Sequence, residues 1–183
     1  SGTVANIKLA FAGTITTHTG TLEISDAGTT DITATDITSI NTSNTGTITV
    51  ANAIDINGSG SEVKAAFDAI DTNTGNATAN ITGTDYTVAQ LKAINNATTG
   101  AIVLATSTSE ALSGDATDLA AALAGTINYT GNVTVTDNAY TVAELVAINA
   151  GTTGSITLNT ANVALSGTVA NIKLAFAGTI TTH

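Results

Sequence analysis

The sequence predicts a repeat protein: a parallel β-solenoid with a short helix in each coil of about 27 residues, six coils to a unit of 165. Three observations predict it. The stretch SGTVANIKLAFAGTITTH, Ser1 to His18, recurs letter for letter as Ser166 to His183. Seven Ser, Thr or Asp residues, each followed three places later by an acid or amide, stand 26 to 30 residues apart. After each of them apolar residues fall at helical spacing, then switch to alternation.

The coils open near residues 3, 33, 59, 87, 115 and 141. In the first, Thr3 and Asn6 have capping-box spacing: a hydroxyl takes the orphan N–H at the third helical position, and that position's side chain reaches back. Ile7, Ala10 and Phe11 share a helical face; Ile15 then points inward between Thr14 and Thr16, and Leu22 with Ile24 begins a second strand. The second coil has Thr33/Asp36, a helix face of Ile37 and Ile40, and strands bearing Ile48, Val50, Ile54 and Ile56. The third has Ser59/Glu62 and Val63, Ala66, Phe67 and Ile70; its remainder, residues 71–84, fits alternation worst. The fourth has Thr87/Gln90, Leu91 and Ile94, then Ile102 and Leu104. The fifth has Asp115/Asp118, Leu119, Ala122 and Leu123, then Ile127, Tyr129, Val133 and Val135. The sixth has Thr141/Glu144, Leu145 and Ile148, then Ile156, Leu158, Val163 and Leu165. Thr168/Asn171 opens the next copy. Glu and Gln close the reciprocal bond best, so the Asn and Asp coils are the weaker boxes.

Helices of two or three turns do not stand alone. Each coil offers an apolar edge without a core, and stacking makes that edge continuous. At about 4.8 Å per coil, six coils advance roughly 29 Å. A string of small α+β domains of two coils each is the competing arrangement, near the lower size limit for independent folding.

The domain reading follows: 1–165 is one full unit and 166–183 the start of the next identical one. Within the unit the coils have diverged; Ser113 to Gly125 matches Ser1 to Gly13 at 5 of 13 positions. The unit itself has not, which points to a longer array of 165-residue repeats. Alternate coils match better, with Gly46, Gly100 and Gly154 each 54 apart.

Composition removes several function classes. The net charge of −10 leaves nothing to displace phosphate counterions, so no nucleic-acid partner is expected. It also opposes an anionic membrane surface. There is no cysteine, hence neither disulfide nor thiolate metal site. No apolar run approaches 18 residues, so no membrane span is expected. No secretory signal pattern opens the sequence, which starts in mid-pattern.

The cap column supplies the candidate site. Asp36, Glu62, Asp118 and Glu144, with Asn6 and Gln90, would form an acid and amide ladder, and calcium takes oxygen ligands. Helix capping accounts for the same residues at less cost, and no calcium-roll or EF-hand motif is present. Lys8, Lys64, Lys92 and Lys173 form a second column, expected to be solvated and to offset the acids. Asn41, Asn95 and Asn149 follow their helices at an interval of 54 and read as caps. Glu110 falls in an inward column, which reads as a slip of register. His18, copied as His183, has no second ligand or base nearby and is expected in solvent. Outward Thr-x-Thr pairs suggest ice binding, but Ala101, Val103 and Asn128 break the array. The Asn-x-Ser/Thr triplets are expected by chance in a chain with 39 threonines.

Coils such as YTVAELVAINAGTTGSITL, threonine-rich strands and near-exact long repeats resemble the giant β-strand-repeat surface proteins of bacteria, notably marine and cyanobacterial ones. The resemblance spans the chain by texture and carries no diagnostic motif or site residue. It implies secretion and a place at the cell surface or outside the cell. The expected function is therefore a structural fibre or filament segment, adhesin stalk or sheath, with copies of itself along the axis as partner, joined in tandem or end to end. The alternative is a binding module for calcium, carbohydrate or ice. An enzyme is not expected, because charges are sparse and laid in columns.

Overall fold

The computed structural model describes residues 1–13, 15, 17–106 and 111–181. Among them, in chain order, lie α1 (Val4–Phe11), β1 (Leu22–Ile24), β2 (Asp31–Thr33), α2 (Ala34–Thr42), β3 (Ile48–Val50), β4 (Asp55–Gly58), α3 (Gly60–Ala69), β5 (Thr72–Asn73) and β6 (Thr78–Ile81). There follow α4 (Val88–Ala97), β7 (Ile102–Leu104), β8 (Leu112–Gly114), α5 (Ala116–Ala122), β9 (Val133–Val135), α6 (Val142–Gly151), β10 (Ser155–Leu158), α7 (Val169–Ala175) and β11 (Thr179–Ile180).

The single β-solenoid with six coils per unit does not form. The chain is a mixed α/β fold, with seven helices and three separate short parallel sheets among the described residues, ordered β1-β3-β5, β2-β4-β6-β7 and β8-β9-β10-β11. The inference of an extracellular filament drawn from a solenoid loses that support. Two physical reasons account for the correction. Helices run seven to ten residues and strands only two to four, so helices form a full layer of their own. Secondly, strand pairing shifts partway along. In the first turns the two strands between helices feed two different sheets. At α4 the strand after the helix, β7, pairs with β6, the strand before it: Ala79 faces Ile102 and Ile81 faces Leu104. The third sheet then starts at β8, where Tyr86 and Tyr129 meet edge to face with centroids 6.4 Å apart. The Tyr129 hydroxyl receives the β8 backbone N–H of Leu112 and donates to the Asn132 carbonyl. These rings fill the junction where the sheets hand over.

Each helix packs on the next, from α1 on α2 through α6 on α7. The apolar faces read from sequence meet between this layer and the sheets. Ile37, Ile40, Leu91, Ile94, Leu119, Leu145 and Ile148 are essentially inaccessible, as are Ile48, Val50, Ile56, Val133, Val135 and Ile156. Residues 71–84, the least legible stretch, contain β5 and β6. Ala77 and Ala79 are fully buried there, Ala79 opposite Ile56. Small residues complete the column, which is why alternation looked weak. Three expectations fail near the ends. Ala10 is exposed, Ile15 is 48 % exposed, and Val163 with Leu165 stays half-buried outside any strand. Thr14, Thr16, Glu110 and His183 lie outside the described residues.

Hydrogen bonds fix each turn on its predecessor. Thr98 Oγ1 donates to the Ala77 carbonyl at 2.6 Å and accepts the Gly100 N–H at 3.0 Å. Thr152 repeats both bonds, to the Gly131 carbonyl and from Gly154, at the same distances. A Cβ on Gly100 or Gly154 would strike the backbone of the preceding turn, so the close approach needs glycine.

Candidate functional site

The cap column is built at the N-termini of the helices. Thr3, Ser59, Thr87, Thr141 and Thr168 all sit in extended backbone and accept the N–H three residues on. The box closes reciprocally at Ser59/Glu62, Thr87/Gln90 and Thr141/Glu144, the pairs with Glu or Gln. Glu62 Oε2 accepts both the N–H and the hydroxyl of Ser59, at 2.8 and 2.9 Å. These bonds, the backbone one first, hold its carboxyl below the ordinary range. Partial burial pushes the Glu144 carboxyl up, but hydrogen bonds from Thr117 and Thr141 outweigh it and the net movement is down. Thr33 and Asp115 make no side-chain cap.

Where the reciprocal bond is missing, the column acid turns to a neighbour. Asp36 pairs with Lys8, and Asp118 with Lys92. Lys64, whose following turn offers the amide Gln90, pairs instead with Asp68 one helical turn along. Thr117 Oγ1 donates to Glu144 Oε1 at 2.6 Å. Of the four calcium candidates, Glu62 and Glu144 close capping boxes, while Asp36, Asp118 and Glu144 bond to a neighbouring turn. Among the described residues no three His, Cys, Asp or Glu side chains are grouped to hold a metal ion.

The asparagine column lies within the last turns of α2, α4 and α6, not after them, and two of its members, Asn95 and Asn149, act between turns. Asn95 Nδ2 donates to the Ala121 carbonyl at 2.9 Å, and Asn149 Nδ2 to the Leu174 carbonyl at 3.1 Å. Each therefore satisfies a carbonyl near the end of the next helix. Gly125, at φ +71°, lies against the Asn95 amide. His18 is half-buried: its Nδ1 lies 2.8 Å from Asn44 Oδ1, while Asn44 Nδ2 donates to the Gly46 carbonyl. That arrangement puts the proton on His18 Nδ1.

Sequence reasoning missed the carboxylates that reach across turns. Asp26 Oδ2, almost buried, accepts the first helical N–H of α1 from Val4 at 2.7 Å. Asp71 accepts the Ile48 N–H at 2.7 Å, and Asp137 the Ala116 N–H at 3.3 Å. An acid 21 to 23 residues after its donor was the available signal. Tyr86 and Tyr140 were missed likewise; their hydroxyls donate to the carbonyls of Thr106 and Thr160. Burial, then nearby Asp137, raises the Tyr140 hydroxyl above its usual value.

The remaining candidate surface is the repeated sequence itself, whose two copies bury different faces. In the first copy, Val4 and Ile7 are 3 % and 7 % exposed, while Ala10 and Leu9 lie open. In the second copy, the equivalent of Val4 is Val169, 77 % exposed, and the equivalent of Ala10 is Ala175, fully buried. A groove of about 290 Å³ runs along the open side of α1, lined by Asn6, Ile7, Ala10, Phe11, Ile15 and His18, among others.

No family model, curated protein or solved structure matches the chain. The assignment of function therefore rests on the molecule's own geometry.

Proposed function

We propose that the chain is a structural segment, one period of a stalk or fibre made of tandem 165-residue α/β units, standing at a cell surface or outside the cell. The observation that carries this reading is the complementary burial of one sequence. Residues 1–18 and 166–183 are identical in sequence, yet Val4 is buried where Val169 is open, and Ala175 is buried where Ala10 is open. A unit joined so that its residue 165 runs into residue 1 of the next would bury both sides of the shared helix. Uniform side-by-side packing of helices and parallel pairing of strands between adjacent turns also support a mechanical role. So does an acidic surface, which keeps long assemblies soluble. The role is non-catalytic, the partner is further copies of the same unit, and the resemblance to bacterial repeat proteins points the same way.

The test is a chain of two units fused at that junction, imaged by electron microscopy and measured by small-angle X-ray scattering. A rod of constant width and about doubled length is expected. Two bodies hinged freely at the junction would refute the reading.

A further inference from the structure

Resting on the tandem reading, we propose that the α6–β10 turn is a docking seat for the open face of α1 of a second copy, and that residues 166–181 are a stand-in for that incoming α1. The seat's geometry is visible within this chain, because the stand-in has the sequence of the guest. Ala175 is wholly buried, and Ile172, Phe176 and Ile180 pack on the core. Asn149 Nδ2 donates to the Leu174 carbonyl at 3.1 Å. Strand β11 lies parallel to β10, with Thr179 beside Ser155 and Ile180 beside Ile156; the Thr181 N–H reaches the Ile156 carbonyl at 3.0 Å.

Transposed to the first copy, the same contacts call for Ala10, Ile15 and the Leu9 carbonyl. Ala10 and Ile15 are open where Ala175 is sealed and Ile180 half-buried. The groove beside Ile7, Ala10, Phe11 and Ile15 is the unfilled half of that interface. The far side of α1 is already occupied: Val4 and Ile7 pack inward, and Gly2 pairs with Ile24. A docked α1 would therefore be covered on both sides.

The occupant is a second copy, and the contact is head to tail. Such a contact uses two different surfaces, leaves one of each free at the ends, and grows without closing. In the chain as it stands, residues 166–181 hold the seat with the advantage of tethering, which favours the intramolecular contact at low concentration. Dislodging them opens the seat.

The experiment uses the full chain. Ala175→Arg places a cation at a fully buried site and should lift the stand-in. The expected result by analytical ultracentrifugation is a shift from monomer to a concentration-dependent ladder of oligomers. Adding Ala10→Arg, at an exposed position, should return the variant to monomer, while Ala10→Arg alone should stay monomeric with an unchanged circular dichroism spectrum. Should Ala175→Arg lose its helical signal, Ile180→Asp at the strand edge is read the same way. The unmodified interface gives a second measurement. Donor- and acceptor-labelled chains, each carrying a dye at Ala89→Cys on an exposed helix face, are annealed together at high concentration. Energy transfer should appear, and should vanish with Ala10→Arg. A folded Ala175→Arg chain that remains monomeric, oligomers that persist with Ala10→Arg, or no transfer on annealing would each overturn the docking mode. A rigid two-unit chain alongside that failure would leave the tandem reading standing; a hinged one would end both.

Discussion

Val4 and Val169 open the same helix in the same sequence, yet one is 3 % exposed and the other 77 %. Ala10 and Ala175 reverse the order, the first open and the second sealed. Identical residues with identical local propensity thus reach opposite environments according to which neighbour lies beside them. The first copy leans on α2 and β1; the second leans on α6 and β10. In this molecule burial belongs to the interface between turns, and a turn's own sequence supplies only the face that is offered.

The comparison is most sharply tested at Ile7. Ile7→Ala removes a side chain held against the core and should cost about 2–5 kcal/mol in chemical denaturation. Ile172→Ala, the same change in the more open copy, should cost clearly less, and Val169→Ala should stay within about 0.5 kcal/mol of the parent. Equal losses at Ile7 and Ile172 would mean that the two copies are packed alike.

The next effect concerns Asp26. Its carboxylate accepts the first helical N–H of α1 from one turn away. Asp26→Ala should cost about 1–2 kcal/mol and should speed amide exchange at Val4 while leaving Val169 unchanged. A uniform rise in exchange at both helices would show that Asp26 acts on the fold as a whole.

Acid should separate the two helices boxed by Glu62 and Glu144 from the others, α4 with its Gln90 included. The carboxyls of Glu62 and Glu144 are lowered in the folded chain. Their contribution is therefore complete above the ordinary glutamate value near 4.3 and is lost as pH falls through the lowered folded values. Glu62→Gln with Glu144→Gln copies the arrangement already present at Gln90. It should flatten the fall in melting temperature below pH about 4 while preserving helix content. An unchanged slope would assign the acid sensitivity to other carboxylates.

The smallest effect is expected from the lysine rungs. Lys8→Ala breaks a partly exposed pair with Asp36 and should cost no more than about 1 kcal/mol, less in high salt. A larger, salt-insensitive loss would show that the rung sets the spacing between α1 and α2.

Helix positions were legible in the sequence because their signals are local. Ser59/Glu62 and Thr141/Glu144 announce a start, and Leu91 with Ile94 or Leu145 with Ile148 marks the covered face. The division into three sheets was not legible, because it depends on which strands meet after the chain has gone round. Ile102 and Ile48 look equivalent in sequence, yet Ile48 pairs with Leu22 in the first sheet and Ile102 with Ala79 in the second. Tyr86, a residue typical of many settings, marks that change only once its hydroxyl is seen on Thr106. The candidate acids were placed correctly on helix starts, but their cross-turn partners, Lys8, Lys92 and Thr117, required the neighbouring turn to be present. Asp26 and Asp71 were silent for the same reason: their donors lie most of a turn away.

The pairing of every sheet between successive turns bears on how the molecule would respond to tension. Strand contacts run sideways to neighbours in a short ladder, with only two to four residues engaged per rung. Stretched from its ends, such a chain should shed one lap at a time, each release lengthening it and slackening the load on the rest. Single-molecule extension should then trace a staircase of small yields, the behaviour of a tether that absorbs shock by paying out line.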